Sequence, residues 1–366
     1  MYRPASLSAL SAHGFDDVID VRSPAEFAED HVPGAINLPV LDNEERARVG
    51  TIYKQQSPFL ARKIGAALVF RNAAEHIETV LAGRDGGWRP LVYCWRGGQR
   101  SGSFAWMLQQ IGWRADTLAG GYKSFRKLIT QQLYDAPLPH RLIQLGGYTG
   151  TAKTAVLDRL RHRGVQVIDL EALARHRGSL LGGLDSPQPT QRAFETALAM
   201  ELIQLDPERP VVVEAESSKI GEINLPPAIW SAMKEAPWLI VDAPIEARAR
   251  YLARAYHAVL ADHDALTRKL SGLRQHRGHE VVDHWVSLSA AGNRLALCRA
   301  LVEQHYDPAY DKAMRVQSPR LLMRLQAPDL TEAALDRLAD DLDGVIQRIE
   351  IDPGGSLVIH PISAAS

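Results

Sequence analysis

Residues 91–102 read LVYCWRGGQRSG. The apolar run Leu91, Val92 and Tyr93 predicts the end of a buried strand, and Gly97-Gly98 predicts a turning loop directly after it. Cys94 then stands at the carboxyl end of a strand, where open α/β sheets keep their chemistry. A single cysteine is more often a small buried hydrophobe than a nucleophile. Here, however, Arg96 and Arg100 flank the thiol, and successive loop N–H groups around Gly97 and Gly98 can form an anion nest; both favour thiolate over thiol. Cys94, Arg96 and Arg100 are the candidate catalytic residues of this loop.

Working outward, DDVIDVRSPAEFAEDHVPGAINLP (residues 16–39) gives a short buried strand, a helix starting at Ser23-Pro24, a Pro33-Gly34 turn and a second strand around Ala35 to Leu38. Residues 66–83 read as helix, LVYC as the next strand, and 101–113 as a helix leaving the Cys94 loop. Residues 115–129 give a last short strand, a Gly120-Gly121 turn and a helix. Strand and helix alternate, so this part is α/β with a mainly parallel sheet.

A proline-containing connector, DAPLPHR (135–141), leads to LIQLGGYTGTAKTAVLDRLRHRG, a strand, glycine-rich loop and helix. Gly147 to Thr154 has the P-loop spacing G-x-x-x-x-G-K-S/T, with Ala152 in place of the last glycine. Gly147, Thr149, Gly150, Thr151, Lys153 and Thr154 are candidate phosphate-binding residues: loop N–H groups cradle the oxygens, Lys153 neutralises them, and the Thr154 hydroxyl is placed for Mg²⁺. The Ala152 methyl is expected to crowd either the backbone angle or the phosphate. PVVVEAESSKIG (210–221) puts Glu214 and Glu216 at the end of an apolar strand, as candidates to hold or support a metal. WLIVDAP ends a further strand at Asp242.

With 366 residues, the chain is too long for one ordinary core and predicts two domains. An apolar fraction of 46% and a charged fraction of 23% are those of a soluble globular protein. Two distant cysteines make neither a disulfide framework nor a CxxC metal site, which predicts a reducing cytoplasm. No apolar run is long enough to span a membrane and the first residues lack a signal-peptide pattern, so no membrane partner is expected. The net charge of −1 conceals a basic stretch: residues 244–300 carry nine Lys/Arg against five acids. Arg248, Arg250, Arg254, Arg274 and Arg277 are its candidate RNA contacts; a solvated helix face accounts for the charge equally well. Asp340, Asp341 and Asp343 reverse the balance near the end.

The blocks DVRSPAEF, HVPGAIN and the Cys94 loop closing on LAGGY resemble a rhodanese domain over roughly residues 1–130. The resemblance implies that Cys94 carries sulfur or selenium, and that Asp20 and Arg22 order the fold. Fused to the P-loop, the whole chain resembles the tRNA 2-selenouridine synthases, through YCWRGGQRSGS, GGYTGTAKT, VVVEAESSKIG, LRQHRGHEVVDHW and HYDPAY. The expected architecture is α/β: a rhodanese-like parallel-sheet domain (1–134), a linker (135–141), a P-loop NTPase-like α/β domain with a basic helical part (142–352), and a tail (353–366).

This resemblance implies two stages. The sulfur of wobble 2-thiouridine attacks geranyl diphosphate, and selenium from selenophosphate then displaces the S-geranyl group, with Cys94 accepting the selenium. Implied partners are the anticodon stem-loops of Lys, Glu and Gln tRNAs and a selenophosphate-supplying enzyme; Mg²⁺ is the implied metal. Tyr148, Trp230 and Trp238 are candidate lining for the geranyl chain. The sequence departs from the family at Ala152 and at Ala215, where an aspartate is usual. Other readings remain: a cysteine-dependent sulfurtransferase; a phosphatase-like enzyme, since Cys94-x5-Arg100 is also a cysteine-phosphatase spacing, although Tyr93 replaces the usual histidine; or a non-catalytic RNA- or nucleotide-binding adaptor.

Overall fold

The computed structural model describes residues 1–177, 187–317, 320–351 and 357–359. The chain divides into two compact units, Met1–Ala136 with Pro189–Gln204, and Pro137–Gln188 with Leu205–Ser366.

In the first unit the elements run α1 (Leu7–Ser11), β1 (Asp17–Asp20), α2 (Pro24–Glu29), β2 (Ile36–Asn37), α3 (Asn43–Gln55), α4 (Pro58–Glu78), β3 (Pro90–Tyr93), α5 (Gln99–Ile111), β4 (Asp116–Thr117) and α6 (Gly121–Thr130). The strands pair in parallel in the order β2-β1-β3-β4. Helix starts follow local chemistry. The Asp42 carboxylate accepts the Glu45 N–H at 2.7 Å ahead of α3, and Ser57 caps α4 with Pro58 at its first position. Ile19, Val92, Phe104 and Leu108 are fully buried between sheet and helices.

Beneath them Arg22 is buried and clamps Asp20 with three N–H donations of 2.6–3.0 Å, while a further one reaches the Asp30 carbonyl at 2.6 Å. Its guanidinium lies 4.0 Å from the Tyr122 ring centroid. A buried charge so fully satisfied orders the β1–α2 corner. The helix Gln191–Leu202 belongs to this unit although its sequence lies inside the span expected for the second domain. It buries Phe194, Leu198 and Leu202. Its Glu195 takes a hydrogen bond from Tyr134 at 2.6 Å and an ion pair from Arg126, and its Thr196 donates to Asp30 at 3.1 Å.

The second unit is built on β5 (Leu142–Gly146), α7 (Lys153–His162), β6 (Gln166–Ile168), α8 (Leu170–Ala174), β7 (Val211–Glu214), the hairpin β8 (Lys219–Ile220) and β9 (Ile223–Asn224), β10 (Trp238–Asp242) and β11 (Leu321–Gln326). Its main sheet is parallel, in the order β11-β10-β5-β7-β6. The P-loop leaves β5 in the middle of the sheet, from which the chain runs first to β6 and β7 on one side and later to β10 and β11 on the other, the switch point at which such sheets bind ligands. Helices between residues 245 and 317 enclose a second core around Leu270, Trp285 and Leu297. Near the end, the helix Glu332–Ile346 packs on α7, where Asp336 and Asp340 pair with Arg159 and Arg163 at 2.8 Å. Part of the late acidic surface is thus neutralised within its own unit. Of the expected tail 353–366, only 357–359 are described, paired antiparallel with 349–351; the remainder lies outside the described residues. Among the described residues no helix is long and apolar enough to cross a membrane.

Candidate functional site

In the first unit, β3 delivers Cys94 to a loop that turns at Gly97, whose φ is +65°. A Cβ on Gly97 would lie 2.8 Å from the Leu118 carbonyl, and one on Gly121 would collide with the Cys94 carbonyl. Only glycines let these two backbones approach so closely. The start of α6 then fixes the loop: Tyr122 N–H donates to the Cys94 carbonyl at 2.8 Å and Lys123 N–H to the Trp95 carbonyl at 3.0 Å.

The Cys94 thiol is buried, and Ser101 donates its hydroxyl to Sγ at 3.2 Å. Burial pushes the thiol up, but Ser101, the Arg100 charge and the Gly98 N–H outweigh it, so Cys94 titrates below the ordinary thiol value. Arg100 is half-buried and held by Glu26, with its two terminal nitrogens at 2.8 and 3.4 Å from the carboxylate. Arg96 is exposed and has no ion pair among the described residues. A cleft of about 530 Å³ opens onto Cys94, Arg96 and Arg100, with Arg46 and Lys54 on its wall. A second, of about 390 Å³, shares Val49 and Tyr53 with it and continues along Leu41, Ala66 and Val69. The Cys94 sulfur therefore sits beside cations at the mouth of a largely apolar groove.

The second unit carries the P-loop. Gly147 has φ +145°, and a Cβ there would lie 2.6 Å from the Val241 carbonyl. Thr151 is buried and closes the loop on the Tyr148 carbonyl at 2.9 Å. Lys153 donates back to the Gly147 carbonyl at 3.0 Å, and Thr154 donates to Glu171 at 3.1 Å. Ala152, just before α7, is left-handed at φ 61° and ψ 28°. The backbone therefore keeps the glycine conformation and the alanine bears the strain.

A cleft of about 670 Å³ runs along this loop, lined by Thr149, Gly150, Lys153 and Thr154 on one side and by Tyr251, Leu252, Tyr256 and Tyr306 on another. Tyr148, Trp230 and Trp238 are not among its lining. Tyr148 is tied to Asp311 at 2.6 Å and lies against Tyr310, while Trp238 is buried in β10 against Gly146. The apolar wall thus comes from the helix Ile245–Ala255 and from Tyr306.

Four acids meet behind Lys153. Asp169 and Glu171 leave the end of β6, and Glu214 and Glu216 the end of β7. Glu171 is pushed up to about 7 by burial and the Glu216 charge, against the pull of Lys153 and Thr154. Glu216 is also raised by burial. Glu214 is fully enclosed: one oxygen accepts the Leu170 N–H at 2.9 Å, the other is buried without a donor, and burial with the Asp169 charge holds its carboxyl well above the usual range. Glu216 lines the cleft and Glu214 does not. Among the described residues, no three His, Cys, Asp or Glu side chains come together as a metal-holding group. Thr154, Glu171 and Glu216 nevertheless fit Mg²⁺ of the kind held by a few protein oxygens plus substrate phosphates, because they bring excess negative charge to the phosphate side of the cleft.

The basic stretch is less uniform than its charge count suggests. Arg248 is buried, pairs with Asp307 through two 2.8 Å bonds, donates to the Thr149 carbonyl at 3.3 Å and lies 5.0 Å from the Tyr148 ring centroid. It braces the P-loop and is not an RNA-facing group. Arg274 pairs with Asp283 at 2.5 Å, and Arg277 donates to His305 Nδ1 and carbonyl at 3.1 and 2.9 Å. Arg254 donates to the Leu330 carbonyl at 2.7 Å. Arg250 is exposed without an ion pair among the described residues.

Known proteins align with both halves. A rhodanese-like domain matches residues 3–128, and the tRNA 2-selenouridine synthase AAA domain matches residues 140–280. A tRNA 2-selenouridine synthase of Sulfurovum sp. is 34% identical over 86% of this chain and 93% of its own length. One from Aeromonas salmonicida is 33% identical over 91% of this chain and 96% of its own. The chain belongs to the tRNA 2-selenouridine synthase family. The family member from Bdellovibrio bacteriovorus is 40% identical over 63% of this chain, an alignment spanning only 62% of that relative. Within this family the α/β fold expected from the sequence, rhodanese-like and then P-loop-like with a helical part, is the one observed.

Proposed function

We propose that this selenouridine synthase family member converts wobble 2-thiouridine in tRNA to 2-selenouridine through an S-geranyl intermediate, using geranyl diphosphate and selenophosphate. What carries the reading is that one chain of this family holds both a cysteine loop with a lowered thiol pKa beside several cations and a P-loop cleft with an apolar wall.

Geranyl diphosphate is an anion joined to a hydrocarbon, and the 670 Å³ cleft offers both surfaces. The diphosphate meets the loop N–H groups and Lys153, which gives up the Gly147 carbonyl for it; Tyr251, Leu252 and Tyr256 take the chain. As the thiocarbonyl sulfur attacks the first prenyl carbon, the developing charge on the leaving diphosphate is stabilised by Lys153 and the α7 N-terminus. Mg²⁺, when bound at Thr154 with Glu171 and Glu216, would add charge neutralisation there.

Alkylation turns a poor sulfide leaving group into a thiolate that departs readily. The second stage then needs a site that binds the selenophosphate anion and leaves room for a ten-carbon chain beside the base. The Cys94 loop supplies the first through Arg96, Arg100 and loop N–H groups, and the adjoining groove along Leu41, Ala66 and Val69 the second. The Lys, Glu and Gln tRNAs, contacted through Arg250 and its basic neighbours, and a selenophosphate-supplying enzyme are the partners of this reading, with the cytoplasm as its place.

The test supplies the full-length chain with a 2-thiouridine anticodon stem-loop, geranyl diphosphate and selenophosphate, and follows the RNA by mass spectrometry. S-geranyl-RNA followed by 2-selenouridine is expected. RNA bound without conversion would favour an adaptor and overturn the reading.

A further inference from the structure

Selenium in selenophosphate and in 2-selenouridine stands at the same, selenide, oxidation level. Loading it on Cys94 as a perselenide would oxidise it, and releasing it would need a reductant; the reaction supplies neither. Direct displacement balances. The selenium of selenophosphate bonds to C2 of the base, the C2–S bond breaks, and the geranyl thiolate leaves with the electron pair. The product is a Se-phosphorylated base whose P–Se bond must still be cut.

The Cys94 loop has parts that a selenium carrier does not need and that phosphoryl transfer does. Arg100 follows Cys94 at the sixth position, its fork steadied by the half-buried Glu26 at 2.8 Å. Ser101, next in the chain, directs its hydroxyl at Sγ from 3.2 Å. Gly97 turns the loop at positive φ, and the cleft at Sγ is edged by Arg96, Arg46 and Lys54. A guanidinium and convergent N–H donors stabilise the equatorial oxygens of a transferring phosphoryl group, and a hydroxyl on the sulfur stabilises thiolate as it forms again.

Resting on the two-stage reading above, we propose that Cys94 is the phosphoryl acceptor that completes selenation. Its thiolate attacks the phosphorus of the Se-phosphorylated base. The P–Se bond breaks with its electron pair going to selenium, the base takes a proton from water, and 2-selenouridine leaves a phosphocysteine behind. Water then attacks that phosphorus, the P–S electron pair returns to Sγ under the Ser101 hydroxyl, and phosphate departs. No oxidant or reductant is consumed. Glu26 acts through Arg100 and is a positioning residue.

The experiment mixes the full-length chain with S-geranyl-2-thiouridine stem-loop RNA and selenophosphate radiolabelled in phosphorus, denatures it rapidly, and maps the label. Phosphorus on the Cys94 peptide is expected, accumulating about tenfold in Ser101→Ala as one stabilising hydrogen bond is lost. Cys94→Ser is expected to stop at Se-phosphorylated RNA. Selenium without phosphorus on Cys94, or 2-selenouridine from Cys94→Ser at the wild-type rate, would overturn the proposal. A second arm uses S-phenyl phosphorothioate, whose cleavage needs no RNA. Thiophenol release lost in both Cys94→Ser and Arg100→Ala supports the phosphoryl role even if the wild-type chain selenates no RNA and the two-stage reading fails. Absence of release from the wild type, or release unchanged in Cys94→Ser, overturns the phosphoryl role.

Discussion

The Ser101 hydroxyl donates to the Cys94 sulfur across 3.2 Å, from the residue that directly follows Arg100. Because the hydrogen bond favours the charged sulfur, the folded thiol titrates below its unfolded value. Alkylation of Cys94 by iodoacetamide should therefore rise with pH through a midpoint below that of an ordinary thiol. Ser101→Ala should move the midpoint upward. The stability linked to this group is present above the unfolded thiol value and lost as pH falls through the folded one.

Lys153 and Cys94 should separate the two stages. Lys153→Ala leaves the diphosphate without its main cation and should abolish S-geranyl-RNA, read by mass spectrometry of the RNA. Cys94→Ser should leave geranylation intact while ending 2-selenouridine formation. Equal loss of the first stage in both variants would contradict the assignment of stages.

Ala152 sits at φ 61° with its methyl buried. A left-handed alanine costs on the order of 1–2 kcal/mol, which glycine avoids. Part of that gain is lost to backbone entropy and to the missing methyl contact. Ala152→Gly should shift the denaturation midpoint in urea upward only slightly, by about 0.5 kcal/mol or less net of these terms. An unchanged geranylation rate in the same variant would show that the methyl does not crowd the bound phosphate.

Arg248 and Asp307 form a pair in which one partner is buried, next to the P-loop. Asp307→Asn leaves the Arg248 charge poorly compensated and should destabilise the chain by about 3 kcal/mol. If Arg248 braces the loop and touches no RNA, Arg248→Ala should weaken geranyl diphosphate binding without changing the salt dependence of tRNA binding. Arg250→Ala should lower that salt slope by roughly one phosphate contact.

Glu214, Glu171 and Glu216 are all raised. Between the ordinary carboxylate value and their folded values, the folded chain binds more protons than the unfolded one, so stability falls as pH rises through that window. Glu214→Gln keeps the shape of the neutral acid without its titration. Thermal melts of the ligand-free variant should show a flatter decline from acid to neutral pH than the wild type.

The sequence made the P-loop and the cysteine loop legible because apolar runs, glycine pairs and fixed spacings are local signals. It also flagged Ala152, whose strain is a property of one residue's backbone. Asp169 and Glu171 were missed, although they follow an apolar run ending at Ile168 as Glu214 follows its own. The same strand-end signal that singled out Glu214 could have found them. Arg248 was misread because a charge count sees the arginine but not its partner Asp307, fifty-nine residues on. Tyr148, Trp230 and Trp238 stood as candidate lining for the cleft, since large aromatics attract attention in a sequence; the wall comes instead from Tyr251 and Leu252 of a helix whose arginines dominate its composition, and from Tyr256 just past its end.

The helix Gln191–Leu202 gives the two units a shared genetic fate. Its chain segment lies between Glu171 and Glu214, yet its Glu195 and Thr196 satisfy Arg126, Tyr134 and Asp30 of the thiol-bearing unit. A gene split between codons 136 and 137 would deprive the first product of a helix and would leave that helix's buried face uncovered in the second. Neither half could be inherited, exchanged or lost cleanly by a single break, so recombination at that boundary should yield two poorly folding proteins.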